Sequence, residues 1–585
     1  MRALVASTLL LASCSLFTDF PDVVPLGGGG AGASGGAGPG ASGPGGSGPG
    51  GGGTGGNGGS PMGGGGASCD ADCLDCVGVD CPAAPSSTFS GTSGSMSLPP
   101  GLFDGLFVND VVVVGGEPWF LGNFNDSTSQ ATTLGSTIYG GLQAGAFLMR
   151  ESGAVSHVSR PCDDTGTDPT LVDEAFYVAG ARVDHSSFGD LIAIAGGVQG
   201  GSLHLLPSAA DVSCPATPDP LLDGPGNTGA TAPSLLWFDA SDGSLRESLF
   251  PDPMRPGTSE HGYLSDVAAL PGTTIGEVVA LGIAQINPFG STVSFESSVN
   301  FEFYVMRTAG LPGEPTLRRL MVQSCVEDPN GTLDGLRSSV AASGPSGSPE
   351  IWVGVTACDF NQGVSPDRGV LFHLQGDLSD ASSRRVLGDA TNPVSITEIA
   401  VVESPPRLIV AGTYSGDPDG FGPSVIVPTG QNGDGFIAAF DGTAYTDQSS
   451  ALWFQRIDSN VPMTLDALTI ADGAVFVGGR GGSSVSVGDL VNCVDSETPD
   501  GGRSVIVALD LESGAPRWLR ADGARPTNNP EPLTDAFART SALGVTGGSL
   551  YASTSSIRKL LFECSEGATP GGNQRRFDVR TFTLR

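Results

Sequence analysis

The chain has 585 residues and carries 62 acidic against 27 basic side chains, a formal net charge of −35 with one lysine, Lys559. Such a charge repels phosphate backbones and bare anionic membrane surfaces, so no nucleic-acid partner is expected. After the N-terminus no segment reaches about eighteen uninterrupted apolar residues, so no membrane-spanning helix is predicted.

In chain order the first element is Met1–Cys14. Arg2 supplies a minimal positive start, Ala3 to Leu11 form an apolar run too short to cross a bilayer, and small residues lead into a cysteine. The tetrapeptide Leu11-Ala12-Ser13-Cys14 resembles the lipobox of bacterial lipoproteins. That resemblance implies a 1–14 signal segment with Cys14 as the lipidation site, carrying a diacylglycerol thioether and an N-acyl chain. Three acyl chains at about 0.8 kcal/mol per buried CH₂ anchor a protein stably. Ser15 after the cysteine, where Asp would imply the inner membrane, implies the outer one, with the surface or periplasmic face left open. The alternative is an ordinary secretory signal with a chance cysteine.

Residues 15–67 read as a disordered tether. From Gly27 to Ala67 the chain is mostly glycine with Ala, Ser, Pro, Asn and Thr, nothing that could offset its ordering entropy. A coil of that length has an r.m.s. reach of about 35 Å. It lacks the strict triplet period of collagen.

Residues 68–85 contain Cys69, Cys73, Cys76 and Cys81. The C-x3-C-x2-C spacing of the first three matches what radical enzymes use for an iron–sulfur cluster, and the fourth would complete a zinc set. Against a metal stand the exported setting, which oxidises thiols, and Asp70, Asp72, Asp75 and Asp80, whose charge raises thiol pKa. Two local disulfides are the expectation, with three pairings open. Cys162, Cys214, Cys325, Cys358, Cys493 and Cys564 are scattered further along, so ten cysteines remain if Cys14 is acylated, an even number.

Beyond residue 86 the chain repeats itself. SVIVALDLESGAPRWLR (504–520) parallels SLLWFDASDGSLRESLF (234–250), GAFLMRESGAVSHVSR (145–160) and GFIAAFDG with ALWFQRI (435–457). Each reads as strand, tight polar turn, strand. Upstream of each lies another pair, such as VVVVGGEPWFLGNF (111–124) and LTIADGAVFVGGR (468–480). Second strands ending near Gly122, Gly196, Gly282, Gly354, Gly412, Gly478 and Ser553 mark seven units about 70 residues apart. Runs such as VVVV and LIAIA predict sheets buried on both faces. The fold expected is all-β, a β-propeller of seven four-stranded antiparallel blades over 86–585. The units resemble the beta-propeller repeat of secreted bacterial proteins, and ALDLESGAPRW approaches the pyrroloquinoline-quinone repeat signature ALD-x-x-x-G-x-x-x-W.

The last unit stops at FDVRTFTLR after its third strand, so the polar alternating segment SSTFSGTSGSMSL (86–98) is predicted to close the ring. Connections between second and third strands are long and would share one face, where the six scattered cysteines also fall. Cys162 with Cys214, Cys325 with Cys358 and Cys493 with Cys564 would clip neighbouring units there. That face is the expected binding surface for a protein or glycan.

No catalytic residue is assigned. His157, His185, His204, His261 and His373 lack metalloenzyme spacing, no G-x-S-x-G elbow occurs, and neither an adjacent cysteine pair nor a complete S-x-D-x-G-x-x-W box is present. No cofactor is expected apart from calcium, for which Asp417, Asp419 and Asp434 in DPDG and NGDG are the candidates. The function expected is a lipid-anchored envelope binding or scaffolding protein. The alternatives are a periplasm-facing accessory subunit of an outer-membrane assembly complex, or a quinone- or Ca-dependent propeller enzyme.

Overall fold

The chain divides into two units, 1–67 and 68–585. The computed structural model describes residues 74–76, 86–95, 106–125, 132–139, 144–162, 175–199, 202–206, 231–250, 262–284, 302–311, 315–323, 338–345, 347–357, 368–379, 381–389, 391–442, 449–482, 484–491, 502–523, 538–557 and 574–584, all in the second unit. They form a seven-bladed β-propeller, and no helix among them is long and apolar enough to cross a membrane.

The innermost strands, in order of blades 1 to 7, are Leu106–Val114, Ala175–His185, Gly262–Ala269, Ser339–Ser343, Val394–Glu403, Thr464–Ala471 and Ala538–Thr546. Each touches the next, and the seventh touches the first, so they enclose a central hub. The hairpins read from sequence take their expected places: Arg503–Asp510 pairs with Pro516–Gly523, and Thr231–Asp239 with Leu245–Leu249, as third and fourth strands.

Seven hydrophobic clusters fill the seven seams between blades in place of one core. Val112, Trp119 and Leu148 of blade 1 meet Tyr177, Ile192, Leu236 and Phe238 of blade 2. Strand Gly189–Gln199 shows why its central run, Leu191 to Val198, is apolar without a break. Ile192 and Ile194 face blade 1, while Leu191, Ala193 and Ala195 face blade 3. A sheet packed on both sides has no polar face to alternate with.

Ring closure follows the sequence expectation. Ser86–Ser95 is the fourth strand of blade 7, antiparallel to Gln574–Thr583, with Gly91 opposite Phe577 and Thr92 opposite Arg576. Thr88 and Thr581 hydroxyls lie 2.6 Å apart across this pair. The Cys-rich segment is not wholly separate from the propeller, since Leu74–Cys76 adds a fifth strand to blade 6 beside Pro516–Gly523.

Antiparallel order makes the first and third connections of every blade leave on one face, and the second connection and the crossover on the other. The first face carries the shorter connections, several of them tight turns. Gly115-Gly116 and Asp472-Gly473 have positive φ at both positions, the geometry of a two-residue type I′ hairpin. The second face carries the long connections, as expected. Three of these reach back and extend the preceding blade. Thr132–Leu134 pairs onto the closing strand of blade 7, Ser202–Leu206 onto Val155–Cys162 of blade 1, and Val485–Val487 onto Ala451–Ser459 of blade 5. Blade 5 does the same with single bonds, Gly388 N donating to the Asp419 carbonyl at 2.9 Å and Arg385 Nε to the Gly420 carbonyl at 2.6 Å on blade 4. The clips visible among the described residues are therefore made by backbone pairing and an arginine.

The repeat marker glycines have a physical cause in the bulges of the innermost strands. A register shift leaves one extra residue in the pairing of first and second strands in six blades, at Asn109, Val178, Ser265, Thr397, Asp466 and Ser541. Beside four of them the partner is a glycine whose Cβ would strike a backbone carbonyl. The approach is 1.9 Å at Gly122, 2.0 Å at Gly196, 1.9 Å at Gly412 and 2.0 Å at Gly479. In blade 6 the backbone collision thus falls at Gly479, one residue after the marker Gly478, whose own Cβ would meet Thr540. No rotamer relieves a backbone contact, so Gly412→Ala is expected to cost about 3 kcal/mol, read as a lower urea midpoint.

Candidate functional site

Innermost strands of a propeller diverge from one another without a shared backbone ladder, so their buried polar groups need other partners. The bulge residues supply them. Asn109 Nδ2 donates to the Tyr177 carbonyl at 2.6 Å, and Asn123 Oδ1 accepts from Tyr177 N at 2.7 Å, so blade 1 grips both sides of one residue of blade 2. Ser265 and Ser338 hydroxyls meet at 2.7 Å between blades 3 and 4. Arg539 Nε lies 3.1 Å from Asp466 Oδ2 between blades 7 and 6. Ser541 Oγ donates to the Val108 carbonyl at 2.6 Å between blades 7 and 1.

The residue after the bulge is a carboxylate in three blades: Asp110, Asp266 and Glu398. With Asp466 they line a hub cavity of about 80 Å³, together with Asn109 and Ser265. Asp110 Oδ1 accepts from Val111 N at 2.7 Å and Oδ2 from Gly180 N at 2.9 Å. Asp266 Oδ1 accepts from Val267 N at 2.7 Å, and Oδ2 from Val340 N at 2.7 Å and Ser339 Oγ at 2.8 Å. Each of these two carboxylates bridges its own strand to the next blade, or in the case of Asp110 from blade 1 to blade 2. Both oxygens of both residues are engaged by protein donors. Burial pushes the Asp266 carboxyl up to about 7 against the pull of those donors, with the Asp110 charge adding to the rise. Sequence reading passed over this ring, although its signal was present: NDV (109–111), SDV (265–267), SSV (338–340) and TEI (397–399) recur at the repeat spacing.

A second polar set lies in the seam between blades 1 and 2. Ser159 Oγ is 2.5 Å from Tyr177 Oη, and His157 Nε2 is 3.2 Å from the same oxygen. His157 is stacked on Phe238, and burial holds its pKa down to about 3, so the ring is neutral at ordinary pH. This Ser–Tyr–His group is enclosed in a packed seam. His185 sits at the end of an inner strand, stacked on Phe188, and His373 stacks on Trp352 with ring centroids 3.9 Å apart. His204 lies in the back-reaching strand of blade 2, and His261 falls outside the described residues.

The quinone-like stretch ALDLESGAPRW is a turn and a seam. Asp510 Oδ1 caps the turn, accepting from Ser513 N at 2.9 Å and Ser513 Oγ at 2.8 Å. The Arg517 hydrogen bond holds this carboxyl at about 2. Trp518 is buried beside Phe582 in the seam of blades 6 and 7. The corresponding turns are also where arginines grip the next blade. Arg150 Nη2 donates to the Ser241 carbonyl at 2.6 Å, and Arg407 Nη1 to the Leu511 and Glu512 carbonyls at 2.8 and 3.0 Å. A planar fork with several donors suits paired carbonyls better than an ammonium, which fits a chain rich in arginine with one lysine.

Of the calcium candidates, Asp434 is buried and paired with Arg456 at 2.6 Å. Asp417 accepts from Thr429 Oγ1 at 2.6 Å, and Asp419 contributes its carbonyl to the clip on blade 4. Among the described residues no three His, Cys, Asp or Glu side chains converge as a metal set. Cys76 and Cys162 lie in strands, opposite Trp518 and Ser202. Cys14, Cys69, Cys73, Cys81, Cys214, Cys325, Cys358, Cys493 and Cys564 fall outside the described residues.

No protein-family model matches the chain, and no curated protein matches it. Solved structures similar to it include the GH93 alpha-L-arabinofuranosidase of Fusarium graminearum in complex with arabinobiose, at 14% identity over 72% of this chain and 97% of that one, TM-score 0.32. Another is the glycoside hydrolase family 32 protein from Bifidobacterium adolescentis, at 9% identity over 84% and 81%, TM-score 0.26. A third is Trypanosoma rangeli sialidase in complex with the inhibitor DANA, at 9% identity over 88% and 97%, TM-score 0.22.

Proposed function

We propose that the protein is a lipid-anchored envelope protein that presents the long-connection face of its propeller as a binding or scaffolding surface. The observation that carries this reading is the inequality of the two faces. One is closed by first and third connections that shorten to two-residue turns such as Gly115-Gly116, and the other carries every second connection and every crossover, including the longest connections. Binding residues concentrate on loops held by a rigid scaffold. Asp110 and Asp266 at the hub are tied on both oxygens to backbone and hydroxyl donors, which suits them to holding neighbouring blades together. Leu11-Ala12-Ser13-Cys14 supports the anchor and the glycine-rich stretch to Ala67 a tether. The net charge of −35 points to a protein or glycan partner.

The test is fractionation of the full chain expressed in a Gram-negative host, beside Cys14→Ala, followed by protease treatment of intact cells. Wild type is expected in the outer-membrane fraction with its propeller released by protease, and Cys14→Ala in the soluble fraction. Identical fractionation of the two proteins would defeat the anchor. Wild-type protein that stays protected in intact cells would move the reading to a periplasm-facing subunit.

A further inference from the structure

The hub contains a hydroxyl with one proton and two acceptors. Ser339 Oγ lies 2.8 Å from Asp266 Oδ2 of blade 3 and 3.5 Å from the Ile399 carbonyl of blade 5. A serine donates once, so the two bonds cannot both be made by its hydrogen. Which one forms depends on whether Asp266 itself carries a proton. Asp266 keeps some accessible surface on the hub cavity yet lies deep within the ring, so the cavity is its route to water.

We propose that Asp266 and Ser339 form a proton latch at the hub. With Asp266 uncharged, its Oδ2–H donates to Ser339 Oγ, and the Ser339 hydrogen turns to the Ile399 carbonyl, tying blades 3, 4 and 5. With Asp266 charged, the Ser339 hydrogen returns to Oδ2, and blade 5 is released from that bond. One proton passes between Asp266 and water in the cavity at each change, and no other bond is made or broken. Val340 N donates to Asp266 in both states.

The surroundings favour the uncharged state. Asp110, Glu398 and Asp466 line the same cavity from blades 1, 5 and 6, with Tyr263 from the latch's own strand. Blade 2 contributes Val178 and Ala179, and blade 4 contributes Ser338, none of them titratable. The second strand of blade 3, Val278–Ala284, has no ionisable side chain. Arg539 is paired with Asp466 on this ring. Burial, reinforced by the Asp110 charge, raises Asp266 to about 7, whereas an unfolded aspartate titrates near about 3.9. Between those values the folded chain holds a proton that the unfolded chain has lost. Stability from this group therefore falls as pH rises through that window and is level above it.

Thermal unfolding of the full chain at constant ionic strength between about pH 5 and about pH 7.5 tests the latch. The readout is the difference between wild type and Asp266→Asn, which removes the histidines' common contribution. Wild-type Tm is expected to fall by about 3 °C or more relative to the variant. Asp110→Asn should move that fall to lower pH, and remains informative if Asp266→Asn does not fold. Ser339→Ala keeps the carboxyl but removes the hydroxyl that favours its charged form, so the fall should extend to higher pH. A wild-type Tm that is level or rising over the window overturns the proposal. So does an Asp110→Asn profile that does not move to lower pH, or a Ser339→Ala profile that does not move to higher pH.

Discussion

A chain beginning at residue 99 should lose the cooperative unfolding transition of the intact propeller, and a synthetic peptide of residues 86–98 added in trans should restore it. The reason lies in the topology of blade 7. Its first three strands come from the C-terminal end of the chain and its fourth, Ser86–Ser95, from the start of the propeller. Removing that strand leaves Gln574–Thr583 as an unpaired edge and takes away the support for Thr132–Leu134, which pairs on its other side. It also opens the seam in which Phe577 and Val579 of blade 7 meet Leu106, Phe120 and Phe147 of blade 1. The expected loss exceeds about 5 kcal/mol, the scale of a whole domain's stability. Circular dichroism during urea titration measures it. A truncated chain that unfolds cooperatively at the intact protein's midpoint would show that the ring does not depend on this strand.

The second large effect is expected at Arg520. Its side chain is 2% exposed, Nε bonds to Asp522 Oδ2 at 2.8 Å, and Asp522 is 5% exposed. The guanidinium lies over Phe582 of blade 7, 5.4 Å from the ring centroid. Arg520→Ala strands a buried carboxylate, which costs about 3–5 kcal/mol. The double variant Arg520→Ala/Asp522→Ala should be less destabilised than Arg520→Ala alone, since it leaves no isolated charge. Urea midpoints of the four proteins in this cycle give the coupling. A double variant that equals the sum of the singles would mean that the pair does not act as a unit.

Both predictions depend on features of unequal visibility in the sequence. The closing strand was visible as an alternating polar segment at 86–98 just before the first unit, and it pairs with Gln574–Thr583. The Arg520–Asp522 pair could not, because an arginine two residues from an aspartate in a strand is ordinary until both are found buried against blade 7. The cysteine-rich stretch was legible as a composition and a redox argument. Its central Leu74–Cys76 gave no hint that it would extend blade 6, since three residues of strand carry no period.

The hub shows the same division. Second-strand glycines at Gly122, Gly196 and Gly412 were visible as markers of repetition. Their cause, a bulge that drives a carbonyl to within about 2 Å of where a Cβ would stand, belongs to paired strands and appears in neither strand alone. The polar triplets NDV, SDV and TEI were present in the chain but were hidden by the hydrophobic runs that follow them.

The amino-acid sequence by itself determined the all-β class, the seven units, the closing strand and the sorting of long and short connections onto opposite faces. These follow from local alternation, turn chemistry and repetition, which act between near neighbours. Only the tertiary structure decided which polar groups meet at the hub, which blade each long connection clips, and which charges are buried. Those outcomes depend on the offset each bulge introduces and on contacts between segments far apart in the chain. A hydroxyl such as Ser339 acquires its two competing acceptors only when blades 3, 4 and 5 are assembled around it.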